Sequence, residues 1–377
     1  NILFRIFAAT ALLGAVACEK PEPESGNHEG PSGVTEIEGT SIVDGNNLVG
    51  LVSDYETGKG IAGVAVSDGF SVVKTDANGV YQFKCNRYAR TVFISVPADY
   101  QVPLDANMKP LFYKTGISRD KVNRNDFVLE PLEGSEENFT LIAIGDPQVK
   151  SDAHIARYKN ETISDIQSTL NANQAVGKYK NAYAVTLGDI VHDTPNLWEN
   201  VKKTMEGVRL GSGAYLPVFQ CIGNHDHNAK TTSDESAISD FISHYGPTDY
   251  SFNRGKVHVV VMDNIVCTKT NGSTWTYNAG FSRSQYNWLK ADIAAVENKE
   301  DKMIILCCHI PFRGGSNSGG SNVNKDKYYS ETLELMKQFN EAHIMIGHTH
   351  YPQNYRHTGY LTKNGLPIYE HVNGGGC

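Results

Sequence analysis

From Phe139 onward the chain alternates short apolar runs with longer amphipathic stretches. The apolar runs Phe139–Ile144, Asn181–Leu187, Leu216–Ile222, Val257–Met262, Lys302–Cys308 and Ala342–Ile346 predict strands. Between them the pattern turns helical. Ala153–Val176 reads as one or two helices, with Ile155, Ile163, Ile166 and Leu170 roughly on one face. Leu197–Val208, Ser236–Tyr245, Ser284–Val296 and Ser330–Phe339 follow, the second capped by Ser233 or Asp234, the third with Trp288 and Leu289 inward. Residues 314–326 are Gly, Ser and Asn with little else, which predicts a mobile loop. Repeated strand–helix alternation predicts an α/β sandwich with its strand ends gathered at one edge.

Residues 46–131 have another texture. Short alternating runs appear at Leu48–Val52, Val64–Val66, Ser71–Val73, Val80–Phe83, Thr91–Val96 and Asp126–Leu129. The turn pairs Asp68-Gly69 and Asn78-Gly79 punctuate them, and no helical period is present. This predicts a small all-β sandwich. The stretches Gly60–Gly69 and Thr75–Phe83 resemble the transthyretin-like or carboxypeptidase-regulatory sandwich. It holds no catalytic constellation, so a structural or positioning role is expected. The acidic, polar segment Leu132–Asn138 marks the boundary, with the α/β domain from 138 to 377.

The N-terminus changes the picture of where the chain works. Arg5 precedes an apolar run, Ile6–Ala17, too short to span a bilayer, so residues 1–17 read as a signal peptide. Leu12–Cys18 resembles a bacterial lipobox, which implies a lipidated Cys18 and a membrane-anchored, exported protein, periplasmic or at the cell surface, with the outer membrane expected. Residues 18–45, rich in Pro, Gly, Glu and Ser, predict a flexible tether. An initial Asn1 implies missing leading residues, and the ending Asn373–Cys377 does not resemble a finished domain, so a fragment truncated at the C-terminus is expected.

Hydrophobic residues make up 40% and charged residues 20%, an ordinary globular balance. A net charge of -8 argues against electrostatic binding to nucleic acid. It does not exclude anionic substrates, because bound cations reverse a local field. The cysteines at 85, 221, 267, 307, 308 and 377 have no C-x-x-C spacing, and buried thiols are expected.

The chemistry sits where the apolar runs stop. Five of them end in polar groups: Gly145-Asp146-Pro147-Gln148, Gly188-Asp189-Ile190-Val191-His192-Asp193, Gly223-Asn224-His225-Asp226, His309-Ile310-Pro311 and Gly347-His348-Thr349-His350. Four place glycine before the polar group, which permits a tight turn and close backbone approach. Carboxylates and imidazoles with an amide suit Zn, Mn or Fe. Asp146/Gln148 and His348/His350 sit at i and i+2, so each pair can face one centre.

In this order the five stretches resemble the signature blocks of the calcineurin-like metallophosphoesterases, D-x-H, G-D-x-x-x-D, G-N-H-[DE], H and G-H-x-H. Gln148 departs from the commoner His and would weaken or retune the first metal position. The resemblance implies two divalent transition-metal ions. The first takes Asp146, Gln148, Asp189 and His350, and the second takes Asp189, Asn224, His309 and His348, with Asp189 bridging. His225 would face the substrate as general acid, while a hydroxide shared by the metals attacks phosphorus in line. Asp193 and Asp226 would buttress turns or orient imidazoles. Arg313 would clamp a phosphate oxygen, and His192 and His371 would line the cleft. Trp275–Tyr277 reads equally as a substrate wall or as loop packing. His28, His154, His227, His244, His258, His343 and His357 match no block. A phosphomonoester or phosphodiester, small or at a cell surface, is the implied substrate. Gln148 and the sandwich keep open a second reading, a surface-anchored binding module with a vestigial metal centre.

Overall fold

The computed structural model describes residues 34–105, 108–134, 136–176, 181–205, 208–270, 274–313 and 328–375. The signal segment, Cys18, His28, the loop at 314–326 and Cys377 lie outside them, as does the side chain of Trp275.

The α/β part is built in four layers. Phe139–Ile144, Asn181–Leu187 and Val218–Cys221 form a three-stranded parallel sheet. A six-stranded sheet runs in the order Tyr250–Arg254, Val257–Val261, Met303–Cys307, Glu341–Ile346, Pro367–Val372, Gln353–Leu361. Its inner pairs are parallel and both edge strands antiparallel. The period of two along Asn181–Leu187 shows how the layers meet. Tyr183, Val185 and Leu187 face the core shared with the larger sheet, and Ala182 and Ala184 face the outer helices through Tyr158, Leu170, Trp198 and Phe241. On the far side Trp288, Leu289, Ile293 and Met336 cover the six-stranded sheet.

The helices differ from expectation at their ends. Asp152–Arg157 and Ser164–Ala175 are joined by a wider π-type turn, Tyr158–Ile163, so the apolar face continues with a local change of phase. The helix expected at Leu197–Val208 spans Trp198–Thr204. Ser233 caps Asp234–Ala237 through its side chain, and a second helix, Ser239–Tyr245, follows. Ser282 caps Arg283–Ala295 in a reciprocal box with Gln285. A β-hairpin, Ile265–Thr270 with Thr274–Ala279, was not legible in the hydrophobic pattern.

The N-terminal region is two small sheets. Leu48–Asp54 pairs with Val80–Phe83, Phe127–Leu129 and Asn123–Arg124 in one; Val72–Lys74, Ala65–Ser67, Thr91–Ile94 and Tyr113–Thr115 form the other. It does not stand apart, because its core is continuous with that of the α/β part. Phe112 packs against Phe219 and Tyr250, and Trp288 donates its indole N–H to Ser67 at 3.0 Å. Buried Arg254 donates to the Pro97 carbonyl and, at 2.7 Å, to that of Tyr100. Within the span expected as tether, Glu36–Ile37 and Thr40–Ser41 form a hairpin, because Ile37 is buried against Val49 and Val80. Cys85, Cys221, Cys267, Cys307 and Cys308 are buried thiols.

Candidate metal centre

The parallel strands of both sheets deliver their C-terminal ends to one edge, and the five polar blocks meet there. Their backbones are bent in an uncommon way. Asp146, Gln148, Asp189, Asp193, His348 and His350 all have positive φ, six of the ten such non-glycine residues among those described. Left-handed backbone costs about 1 kcal/mol or more per non-glycine residue, and strain gathered at one edge marks a functional site. It also explains how Asp146/Gln148 and His348/His350 turn inward together. Gly223 is required for space, since a Cβ there would overlap the Asp189 backbone and carboxylate, and one on Gly347 would overlap the Asp146 carboxylate.

Asp189 is the middle of the group. Its Oδ1 accepts from the His225 backbone N–H at 2.9 Å and faces His309 Nε2 at 3.3 Å. Its Oδ2 accepts from Gln148 Nε2 at 2.9 Å. Asp146 accepts from the His348 backbone N–H at 2.9 Å and lies 3.5 Å from His350 Nε2. Asp146, Asp189 and His309 are buried, whereas the His350 side chain is 44% exposed, so the group opens to solvent on one side.

His309 decides what the group can hold. Its Nδ1 lies 2.7 Å from the Leu187 carbonyl, an acceptor only, so Nδ1 carries the proton. The remaining Nε2 then faces Asn224 Oδ1 at 3.1 Å, His348 Nδ1 at 3.2 Å and Asp189 Oδ1 at 3.3 Å. Lone pairs converge on one spot, an arrangement that calls for a cation. A second proton on His309 is one answer, and despite the opposing cost of burial, Asp189 pulls that imidazole up to about 10. Conversely, burial would raise the Asp189 carboxyl, but His309 holds it well below the usual range. Burial, then repulsion from His309, pushes His348 down to about 3, leaving a neutral imidazole. Its hydrogen bond to Asp146 raises His350. A divalent cation is the other answer, and the donors fit one. Asp189, His309 and His348 present ligand atoms within 4.8 Å of one another, and His309 donates its second N–H to a carbonyl, as metal-bound histidines do.

The model of the calcineurin-like phosphoesterase family matches residues 139–352, more than half of the chain, and the model for the N terminal of calcineurin-like phosphoesterase matches residues 46–132. The chain belongs to the calcineurin-like phosphoesterase family. It is therefore a metal-dependent phosphoester hydrolase in general class. No curated protein matches the chain.

The remaining site residues of this phosphoesterase surround that set. His225 Nδ1 lies 3.1 Å from Asp193 Oδ2, and its ring stacks on His192 at 3.9 Å. Asp226 is buried and accepts from the backbone N–H groups of Gly223 at 2.8 Å, Val191 at 3.0 Å and Ile190 at 3.1 Å, which locks the second and third blocks together. Burial first, then Asp189, pushes its carboxyl up to about 7 against those three bonds. Arg313 is not brought into this group: it is exposed, with its guanidinium over the Tyr355 ring at 5.1 Å. His371 bonds to His343 and Asn354. Tyr277, on the hairpin, meets the His348 ring edge-on at 6.2 Å.

Three supporting residues escaped the sequence reading. Buried Asn264 accepts from the His309 and Ile310 N–H groups at 3.2 and 3.0 Å and donates to the Ile310 carbonyl at 2.7 Å. Buried His227 bridges the Gly223 carbonyl, 2.8 Å from Nδ1, and Asp263, 3.2 Å from Nε2. Asp263 and Asn264 end the strand Val257–Val261, a sixth polar strand end and the signal that would have found them. Glu370, fully buried in the last strand, accepts from the Phe312 N–H at 3.0 Å and so holds the turn after His309.

Proposed function

We propose that the chain hydrolyses phosphomonoesters or phosphodiesters at a dinuclear centre, with Asp146, Gln148, Asp189 and His350 holding one cation and Asp189, Asn224, His309 and His348 the other. The observation that carries this reading is the convergence of His309 Nε2, His348 Nδ1, Asn224 Oδ1 and the Asp189 carboxylate on one point. Zn, Mn or Fe suits such N and O donors. Bound there, the cations supply Lewis acidity and an activated water. Asp189, with Oδ1 toward His309 and Oδ2 toward Gln148, is placed to serve both halves. The Gln148 amide points its N–H at Asp189, so it must turn to offer oxygen, which makes the first position the weaker one.

His225 acts on the leaving group. Asp193 and the stacked His192 ring fix its orientation, with Asp193 accepting at Nδ1 and Nε2 left for the substrate. Protonation of the departing alkoxide by Nε2–H is general acid catalysis. Titration with Mn(II) tests the assignment: Asn224→Ala should lose affinity at one position, and His225→Ala should bind like the wild type. Equal loss in both would remove the division of roles.

Export on a lipidated Cys18 completes the reading, supported by the apolar run and small residues before it. Among the described residues no helix is long and apolar enough to cross a membrane. Cys18→Ala in the full-length protein should move it from the membrane to the soluble fraction; unchanged sedimentation would reject the anchor.

A further inference from the structure

Beneath the loop that carries Asn224 and His225 lies a second group of ligand-type side chains, none of them among the proposed ligands of the dinuclear site. His227, Asp234 and Cys267 present ligand atoms within 4.8 Å of one another. Asp263 joins them, its Oδ2 3.2 Å from His227 Nε2. His227, Asp263 and Cys267 are buried and Asp234 half-buried.

His227, Asp263 and Asp234 are each fixed at one side-chain atom, and each has a second ligand atom. His227 Nδ1 is tied to the Gly223 carbonyl at 2.8 Å, so Nε2 is the atom facing Asp263. Asp263 Oδ1 accepts from the Ile265 N–H at 2.9 Å, leaving Oδ2 toward His227. Asp234 Oδ1 accepts from the Cys267 backbone N–H at 2.6 Å, which brings the thiol of Cys267 and the carboxylate of Asp234 to the same place. The charge is unbalanced. Two carboxylates share His227 as their cationic neighbour, and burial, then repulsion from Asp263, raises Asp234 to about 6.

We propose that His227, Asp234, Asp263 and Cys267 form a structural site for a single zinc-like cation, separate from the dinuclear set. Together they would offer one nitrogen, one sulfur and two carboxylate oxygens, all of them ligand types that zinc accepts. The His227 N–H to a backbone carbonyl is the customary outer contact of a zinc-bound imidazole. Binding releases the Cys267 thiol proton and any proton on His227 Nε2, and the thiolate and carboxylates offset the cation's charge. Because His227 holds the Gly223 carbonyl, a filled site would fix the base of the Asn224–His225 loop without touching substrate.

Sulfur separates this site from the dinuclear one, whose proposed ligands contain none. Cobalt(II) loaded into the full chain should give a thiolate-to-cobalt charge-transfer band in wild type that disappears in Cys267→Ser. X-ray absorption at the zinc edge on zinc-loaded wild type should show a sulfur neighbour at about 2.3 Å; this reading needs no variant and stands if Cys267→Ser fails to fold. A zinc-loaded wild type with only nitrogen and oxygen neighbours, or a cobalt band that survives in folded Cys267→Ser, would overturn the proposal. Neither result depends on whether the Asp189 centre hydrolyses phosphoesters.

Discussion

Asn264→Ala removes a residue that touches neither metal nor substrate and should still damage the centre. Its Oδ1 serves the His309 and Ile310 N–H groups, and its Nδ2 serves the Ile310 carbonyl and the Tyr329 hydroxyl. All of these are buried. Orphaning a buried polar group costs about 1–3 kcal/mol. Counting the three backbone groups, since the Tyr329 hydroxyl can rotate, and with water able to enter the space left, the low end gives about 3 kcal/mol. For a domain of this size that lowers Tm by about 6–12 °C. The freed His309 turn should also weaken metal binding at the second position by about 10- to 100-fold, the usual effect of removing an outer partner. Calorimetric melting and Mn(II) titration read the two effects separately. A variant melting within about 2 °C of wild type with unchanged Mn(II) affinity would mean that the His309 turn holds itself without Asn264.

Other sites make different demands. Gly223→Ala should fold yet lose metal affinity, read by the same titration, because its Cβ overlaps Asp189; unchanged affinity would show that the two turns separate easily. Phe112→Ala should cost about 3–5 kcal/mol in a melt, since the ring joins both cores against Phe219 and Tyr250. Asp249 is raised to about 7, by burial first and then by Asp263. Its unfolded value is about 4, so the folded state binds the proton more tightly, and its contribution to stability is full below about pH 4 and falls as pH rises to about 7. Asp249→Asn in chelator-treated protein should therefore gain Tm relative to wild type on going from about pH 5 to about pH 8. A pH-independent difference would deny the shift.

Much of this was readable before the fold was known, for physical reasons that differ by element. Strand interiors such as Asn181–Leu187 are apolar on both faces because helices cover one side and a second sheet the other. Polar residues after such runs therefore stand out, and Asp146, Asp189, Asn224, His309 and His348 could be picked from the sequence. The helix break at Ile238 and the π-type turn at Tyr158–Ile163 were not visible, because a change of phase leaves apolar residues at nearly helical spacing. The edge strand Gln353–Leu361 is largely exposed, with no buried residue, so its hydrophobic signal is faint. The fusion of the sandwich to the α/β core was hidden for another reason. Phe112 and Trp288 are ordinary apolar residues, and nothing in one sequence says whose surface they cover. Asn264 and His227 escaped because they support the ligands' turns and do not themselves stand in the ordered blocks.

Everything proposed for this site requires that the converged donors make a phosphoester-cleaving metal centre on which His225 supplies the proton. The most direct test is the initial rate of p-nitrophenyl phosphate and bis(p-nitrophenyl) phosphate hydrolysis by Mn-loaded wild type and His225→Ala at matched metal content. Wild type should turn over one of the two esters, and kcat should fall by about 10²- to 10⁴-fold in His225→Ala with metal retained. A metal-loaded wild type inert on both esters, or a His225→Ala variant as fast as wild type, would contradict it.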